Sequence, residues 1–283
     1  MKRRVARRGL AVNVMSPAAA CGYAAAMQLP LRFAAALAAL CLAGPAFAVR
    51  DSALGKYWSA APARVPYRAI AVKGRDAKAG LPLVVFLHGD WQDGTDNVSQ
   101  LAGYGNGSMQ LIDQARKAGR GLLYIAPQTT AGYWAPAHVA AVIADAQRRW
   151  KVDPARIVLT GISNGGSGVW DTLKHYPACF AAAVPMSGMT EPSGLRAIVP
   201  IPQWVFHGEL DDDTDVEGGY FGAQMGSRVI VAALRALGGT PRYSEYPGEK
   251  HVIWPRAYAE KELLPWILAQ RLAGPPCDFA RLP

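Results

Sequence analysis

The chain has 283 residues, 51% hydrophobic and 18% charged, which is long enough to bury a core without metals and too apolar to stay disordered. Its net charge of +9, from 30 Lys and Arg against 21 Asp and Glu, would suit an anionic partner. Six of those cations, Lys2, Arg3, Arg4, Arg7, Arg8 and Arg32, lie in residues 1–48, where no acid occurs. The other 235 residues carry only +3, so no nucleic-acid partner is expected.

In chain order the first element is a leader. Arg32 supplies a positive n-region, Phe33 to Leu42 a short apolar run, and Ala46-Phe47-Ala48 a small-x-small cleavage site. Residues 1–48 therefore read as a signal peptide cut after Ala48, with Met27 as an alternative translation start, and the product is expected to be secreted or periplasmic. The apolar run is short for a bilayer and ends in Gly44-Pro45, so no stable membrane anchor is expected. Cys21 and Cys41 leave with the leader. Cys179 and Cys277 remain in a compartment where disulfides persist and are read as a bridge, the alternative being two buried thiols; no spacing suggests a metal site.

Residues 49–283 read as one α/β domain. Apolar, β-branched runs at Tyr67–Val72, Leu83–Leu87, Leu122–Ala126, Ile157–Thr160, Ala181–Met186, Trp204–His207 and Arg242–Tyr246 predict strands. Amphipathic segments at Val139–Trp150, Gly165–Tyr176, Arg228–Leu237 and Arg256–Leu272 predict helices between them. Near-continuous apolar strands alternating with helices imply a mostly parallel sheet covered on both faces, with its chemistry at the C-terminal strand ends.

Each motif falls at such an end. Leu83–Leu87 leads into His88-Gly89-Asp90-Trp91, where the His88 ring is expected to hold the loop. Ile157–Thr160 leads into Gly161-Ile162-Ser163-Asn164-Gly165, a G-x-S-x-G turn that pushes a serine hydroxyl out of the sheet. The alternative is a glycine-rich turn with a bystander serine. A serine nucleophile needs a base. Of the five histidines, His138 and His175 lie at helix ends and His207 is expected to shape a turn; His251, in the loop before the last helix, is the candidate. After His207-Gly208, the acidic loop to Asp215 offers Asp211 as the carboxylate that would orient the imidazole, with Asp212 next.

The order Ser163, Asp211, His251 is that of α/β-hydrolases. Taken with Val84-Val85-Phe86-Leu87-His88-Gly89, Asp153-Pro154 ahead of the serine turn, Ala183 to Gly188, Val205-Phe206-His207-Gly208 and Trp254, the chain resembles the serine esterases of that superfamily. The nearest group looks like the phospholipase/carboxylesterase and polyhydroxybutyrate depolymerase-like enzymes, feruloyl esterase-like members included. The resemblance implies an α/β-hydrolase fold without a large cap, a Ser-Asp-His triad, no cofactor, and a small-molecule or polymer-linked ester as substrate. It assigns the oxyanion-holding N–H groups to Asn164 and Asp90, the latter on condition that its carboxylate turns away, a neighbouring amide being the alternative. Trp91, Trp134 and Trp254 are candidate pocket walls, and Trp170 reads as core. Two further readings are a serine peptidase of the prolyl oligopeptidase type and an idle scaffold used for binding.

Overall fold

The computed structural model describes residues 54–59, 65–75, 80–102, 106–219 and 224–282. The leader and the expected cleavage site at Ala48 lie outside them. Eight strands form one sheet: β1 (Gly55–Trp58), β2 (Pro66–Val72), β3 (Leu81–Leu87), β4 (Leu122–Pro127), β5 (Val152–Ile162), β6 (Ala182–Met186), β7 (Trp204–Gly208) and β8 (Arg242–Tyr246). Their order is β1-β2-β4-β3-β5-β6-β7-β8. β1 with β2 and β2 with β4 are antiparallel; the other pairs are parallel.

The helices are α1 (Gln110–Ala118), α2 (Pro136–Arg149), α3 (Asn164–His175), the single turn α4 (Leu195–Ile198), α5 (Ser227–Ala236), α6 (Trp254–Ala259) and α7 (Leu263–Ala269). They cover both faces of the sheet. Along β3, Leu83, Val85 and Leu87 enter a cluster with α2, α3 and α5, while Val84 and Phe86 enter a second one with α1, α6 and α7. A strand covered on both sides has no polar face to show, which is why its sequence is apolar throughout.

The expected strands are present within a few residues, and three features differ. β1 is a short, largely exposed edge strand with no apolar alternation to reveal it. β5 begins at Val152, and a register shift between Leu81 and Leu83 absorbs Pro154, which lacks an N–H for the ladder. The expected helix Arg256–Leu272 is two helices broken at 260–262. Pro265 cannot stand in a helix interior, and restarting at Leu263 leaves it in the first turn. Cys179 and Cys277 are bridged, with Cα atoms 5.2 Å apart and a separation of 98 positions in sequence.

Candidate active site

β3, β4, β5, β7 and β8 deliver five loops to one edge of the sheet. Between β5 and α3, Ser163 has φ 53° and ψ −121°, a left-handed conformation that a β-carbon makes costly and that only a tightly packed turn sustains. The two flanking glycines allow that packing. A β-carbon on Gly165 would stand 2.0 Å from the Leu87 carbonyl oxygen, and one on Gly161 would stand 2.3 Å from the Gly165 oxygen.

The Ser163 hydroxyl lies 2.8 Å from Nε2 of His251. His251 Nδ1–H donates to both carboxylate oxygens of Asp211, at 2.9 and 2.8 Å. All three side chains are buried, and the Ser187 hydroxyl steadies the histidine loop by donating to the His251 carbonyl at 3.0 Å. Burial alone would raise the Asp211 carboxyl. Donors from His207 and His251, the nearby His251 charge and the Thr214 N–H together hold it below the usual carboxylate range. Asp212 takes no part in this cluster, because it is turned outward to Lys250 Nζ at 2.5 Å.

His207 does more than shape a turn. Its Nε2 is 3.0 Å from Asp211 Oδ2 and 2.8 Å from the Thr214 carbonyl, and its Nδ1 is 2.7 Å from the Ser227 hydroxyl. His88 holds its own loop. Its Nε2 accepts the Thr129 N–H at 3.1 Å, which places the ring proton on Nδ1, and that N–H donates to Gly89 O at 2.7 Å. Burial lowers its pKa to about 4, so the ring is neutral at neutral pH. His138 lies in the first turn of α2 and His175 is exposed at the end of α3.

The loop after β3 is fixed through Gln92, a residue that spacing gave no reason to single out. Its Oε1 accepts the Gly89 N–H at 3.1 Å, and its amide donates to the carbonyls of Ser99, Gln100 and Ala102. The Asp90 carboxylate turns to the Asn164 side chain, whose amide donates to it at 2.8 Å and also to the Gly132 carbonyl. Asn164 thus ties two neighbouring loops to the serine turn. Neither backbone N–H, of Asn164 or of Asp90, has a hydrogen-bond partner among the described residues.

The tryptophans divide. Trp91 is 88% exposed, with φ 67°. Trp134 is not an open wall: it is buried, its indole N–H donates to the His88 carbonyl at 3.0 Å and its ring meets His88 edge-on. Trp254 is likewise buried, its ring edge-on to His251 at 5.3 Å, which makes it a support for the imidazole. Trp170 is core, bonded to Gln203. The exposed large apolar side chains include Trp91, Tyr133, Leu210 and Val252, each one residue from Asp90, Gly132, Asp211 or His251. Among the described residues, no cluster of three or more His, Cys, Asp or Glu could hold a metal.

No protein-family model matches the chain. An uncharacterized secreted protein of Arthroderma benhamiae is 27% identical over a stretch covering 33% of this chain and 12% of its own. The crystal structure of a thermostable esterase superposes with a TM-score of 0.67 at 30% identity, covering 77% of this chain and 63% of the esterase. The chain is an α/β-hydrolase by fold. An S-formylglutathione hydrolase of Agrobacterium tumefaciens shares that fold at 12% identity and a TM-score of 0.57, over 78% of this chain and 95% of its own. The chain thus spans less than two thirds of the esterase and about an eighth of the secreted relative.

Proposed function

We propose that this α/β-hydrolase is a secreted or periplasmic carboxylic ester hydrolase that works through Ser163, His251 and Asp211. The observation that carries the reading is the buried relay from the Ser163 hydroxyl to His251 Nε2 at 2.8 Å and from His251 Nδ1 to Asp211. His251 takes the serine proton as Ser163 Oγ bonds to the ester carbonyl carbon, and the oxyanion that forms lies against the N–H groups of Asn164 and Asp90. The C–O bond to the alcohol then breaks, His251 gives the proton to the leaving oxygen, and water repeats the cycle on the acyl-enzyme. Asp211 stays ionised throughout and stabilises the imidazolium. Support for the class comes from the thermostable esterase at 30% identity. Support for export comes from the Cys179–Cys277 bridge, the leader-like sequence and the secreted relative.

The test is Ser163→Ala on a panel of p-nitrophenyl, feruloyl, acetyl-sugar and hydroxyalkanoate esters with aminoacyl anilides beside them. Wild type is expected to cleave esters and to be labelled at Ser163 by an organophosphate, while Ser163→Ala loses on the order of 10³-fold or more in kcat with its melting temperature nearly unchanged. Ester turnover that survives the substitution would refute the reading; cleavage confined to anilides would make the chain a peptidase, and no turnover a binding scaffold.

A further inference from the structure

The chemistry proposed above uses one of the two histidines on Asp211, and the second is as well placed as the first. His207 is the fourth residue of β7 and fully buried; its Nε2 lies 3.0 Å from Asp211 Oδ2, and both side chains are closed to solvent. Nε2 also faces the Thr214 carbonyl at 2.8 Å, and two acceptors around one ring nitrogen require that nitrogen to carry a proton. Nδ1 meets the Ser227 hydroxyl at the N-terminus of α5, which fixes the ring plane from the far side. Asp211 therefore receives donors on both oxygens: Thr214 N–H at 2.8 Å and Asp213 N–H at 3.0 Å on Oδ1, His207 on Oδ2, and His251 across the two.

We infer that His207 is a positioning residue for the reaction. It pins Oδ2 of Asp211, so that the carboxylate presents a fixed edge to His251 and shares its charge between two imidazoles. A carboxylate held only by the two backbone N–H groups on Oδ1 could rotate about its Cβ–Cγ bond and swing away from His251 Nδ1. With the His207 donor in place, rotation breaks bonds on both oxygens. The charged groups around the pair come from three elements: Asp215 in the same loop, Glu245 opposite His207 in the β7–β8 register, and Arg228 of α5, which binds Glu245 at 2.5 Å. Glu245 is paired with Arg228 and Asp215 accepts the Glu217 and Gly218 N–H groups, which leaves Asp211 as the carboxylate acceptor for His207.

The inference rests on the esterase reading, and the test separates the two. Three variants are compared with wild type by kcat, KM and the pH profile of kcat/KM on an aryl ester: His207→Leu, which has no donor; His207→Asn, whose amide reaches only the Nδ1 position; and His207→Gln, whose amide reaches the Nε2 position. The expected result is a loss on the order of 10-fold to 100-fold in kcat for Leu and Asn with KM within about twofold, as for a lost hydrogen bond to a charged group, and recovery to within about fivefold of wild type for Gln. In the Leu and Asn variants the acid limb of the profile shifts to lower pH, because a carboxylate free to swing away from Nδ1 stabilises the His251 imidazolium less. A merely structural histidine would change melting temperature and yield without moving that limb, and Gln would rescue no better than Asn. Should the Leu variant fail to fold, the Asn and Gln pair carries the comparison. Wild-type kcat and an unmoved profile in Leu or Asn, or equal activity in Asn and Gln, overturn the inference. If Ser163→Ala also retains ester turnover, the esterase reading falls with it; if Ser163→Ala is inactive, the inference alone falls.

Discussion

In the folded chain His88 keeps its ring neutral because burial lowers its pKa to about 4 and Thr129 occupies the nitrogen a second proton would need. An unfolded histidine titrates near 6.5. Between about pH 6.5 and 4 the unfolded chain binds a proton that the folded chain refuses, so stability falls as pH drops through this window and levels off below it. The difference amounts to about 3 kcal/mol at the lower end. Urea midpoints measured from pH 7 to 4 should therefore fall more steeply in wild type than in His88→Asn, which has nothing to titrate there; parallel slopes would show that His88 does not carry the effect. At this scale the candidate site was largely legible, because nucleophile, acid and base each follow a strand at a recognisable spacing: Ser163 within G-x-S-x-G, Asp211 after His-Gly, His251 before the last helix. Second roles were not. The Asn164 side chain on Asp90, Gln92 on Gly89 and His207 on Asp211 are defined by where two or more loops meet, and no local spacing records that meeting.

The turn from β5 into α3 shows how an element imposes a residue's geometry. α3 starts so close to β3 that Gly165 has no room for a methyl group, whose nearest neighbours, at 2.0 and 2.5 Å, are the backbone oxygens of Leu87 and His88 rather than movable side chains. Gly165→Ala must lift the helix off the sheet. It is expected to cost about 3 kcal/mol or more and to lower kcat more than it raises KM, since Ser163 moves with the helix. Gly238→Ala is the control. It adds a methyl at another left-handed position, φ 89°, with nothing within 4 Å, so it should cost about 1 kcal/mol of backbone strain and leave kcat unchanged. Equal effects of the two on urea unfolding and on kcat would refute the packing account. The inner strands that build this edge were readable because doubly covered strands are apolar runs, whereas β8, Arg242-Tyr243-Ser244-Glu245-Tyr246 at the end of the sheet, is not such a run. α1 was harder to see, since its buried face is only Leu111, Ile112 and Ala115, and its clearest signal is Gly119 in a left-handed C-cap.

Across the whole molecule, the bridge and the site lie at opposite ends of one helix. α3 carries Ser163 just before its first residue and runs for 12 residues, about 18 Å, toward Cys179. The C-terminal tail is stitched there by Cys277 and by Phe279, which packs on Phe180 at 5.7 Å. Closing a loop of 98 residues removes freedom chiefly from the unfolded chain, worth about 5 kcal/mol in the chain-entropy account. The folded site gains nothing directly from that constraint. Replacing both cysteines by alanine should therefore lower the melting temperature by roughly 10 °C while kcat and KM on an aryl ester at 25 °C stay within about twofold of wild type. Calorimetry and steady-state kinetics on the same preparation check both halves. An unchanged melting temperature would mean that Phe279 and its neighbours hold the tail unaided; a large fall in kcat with little loss of stability would mean that the bridge positions α3, and with it Ser163, across the length of the helix.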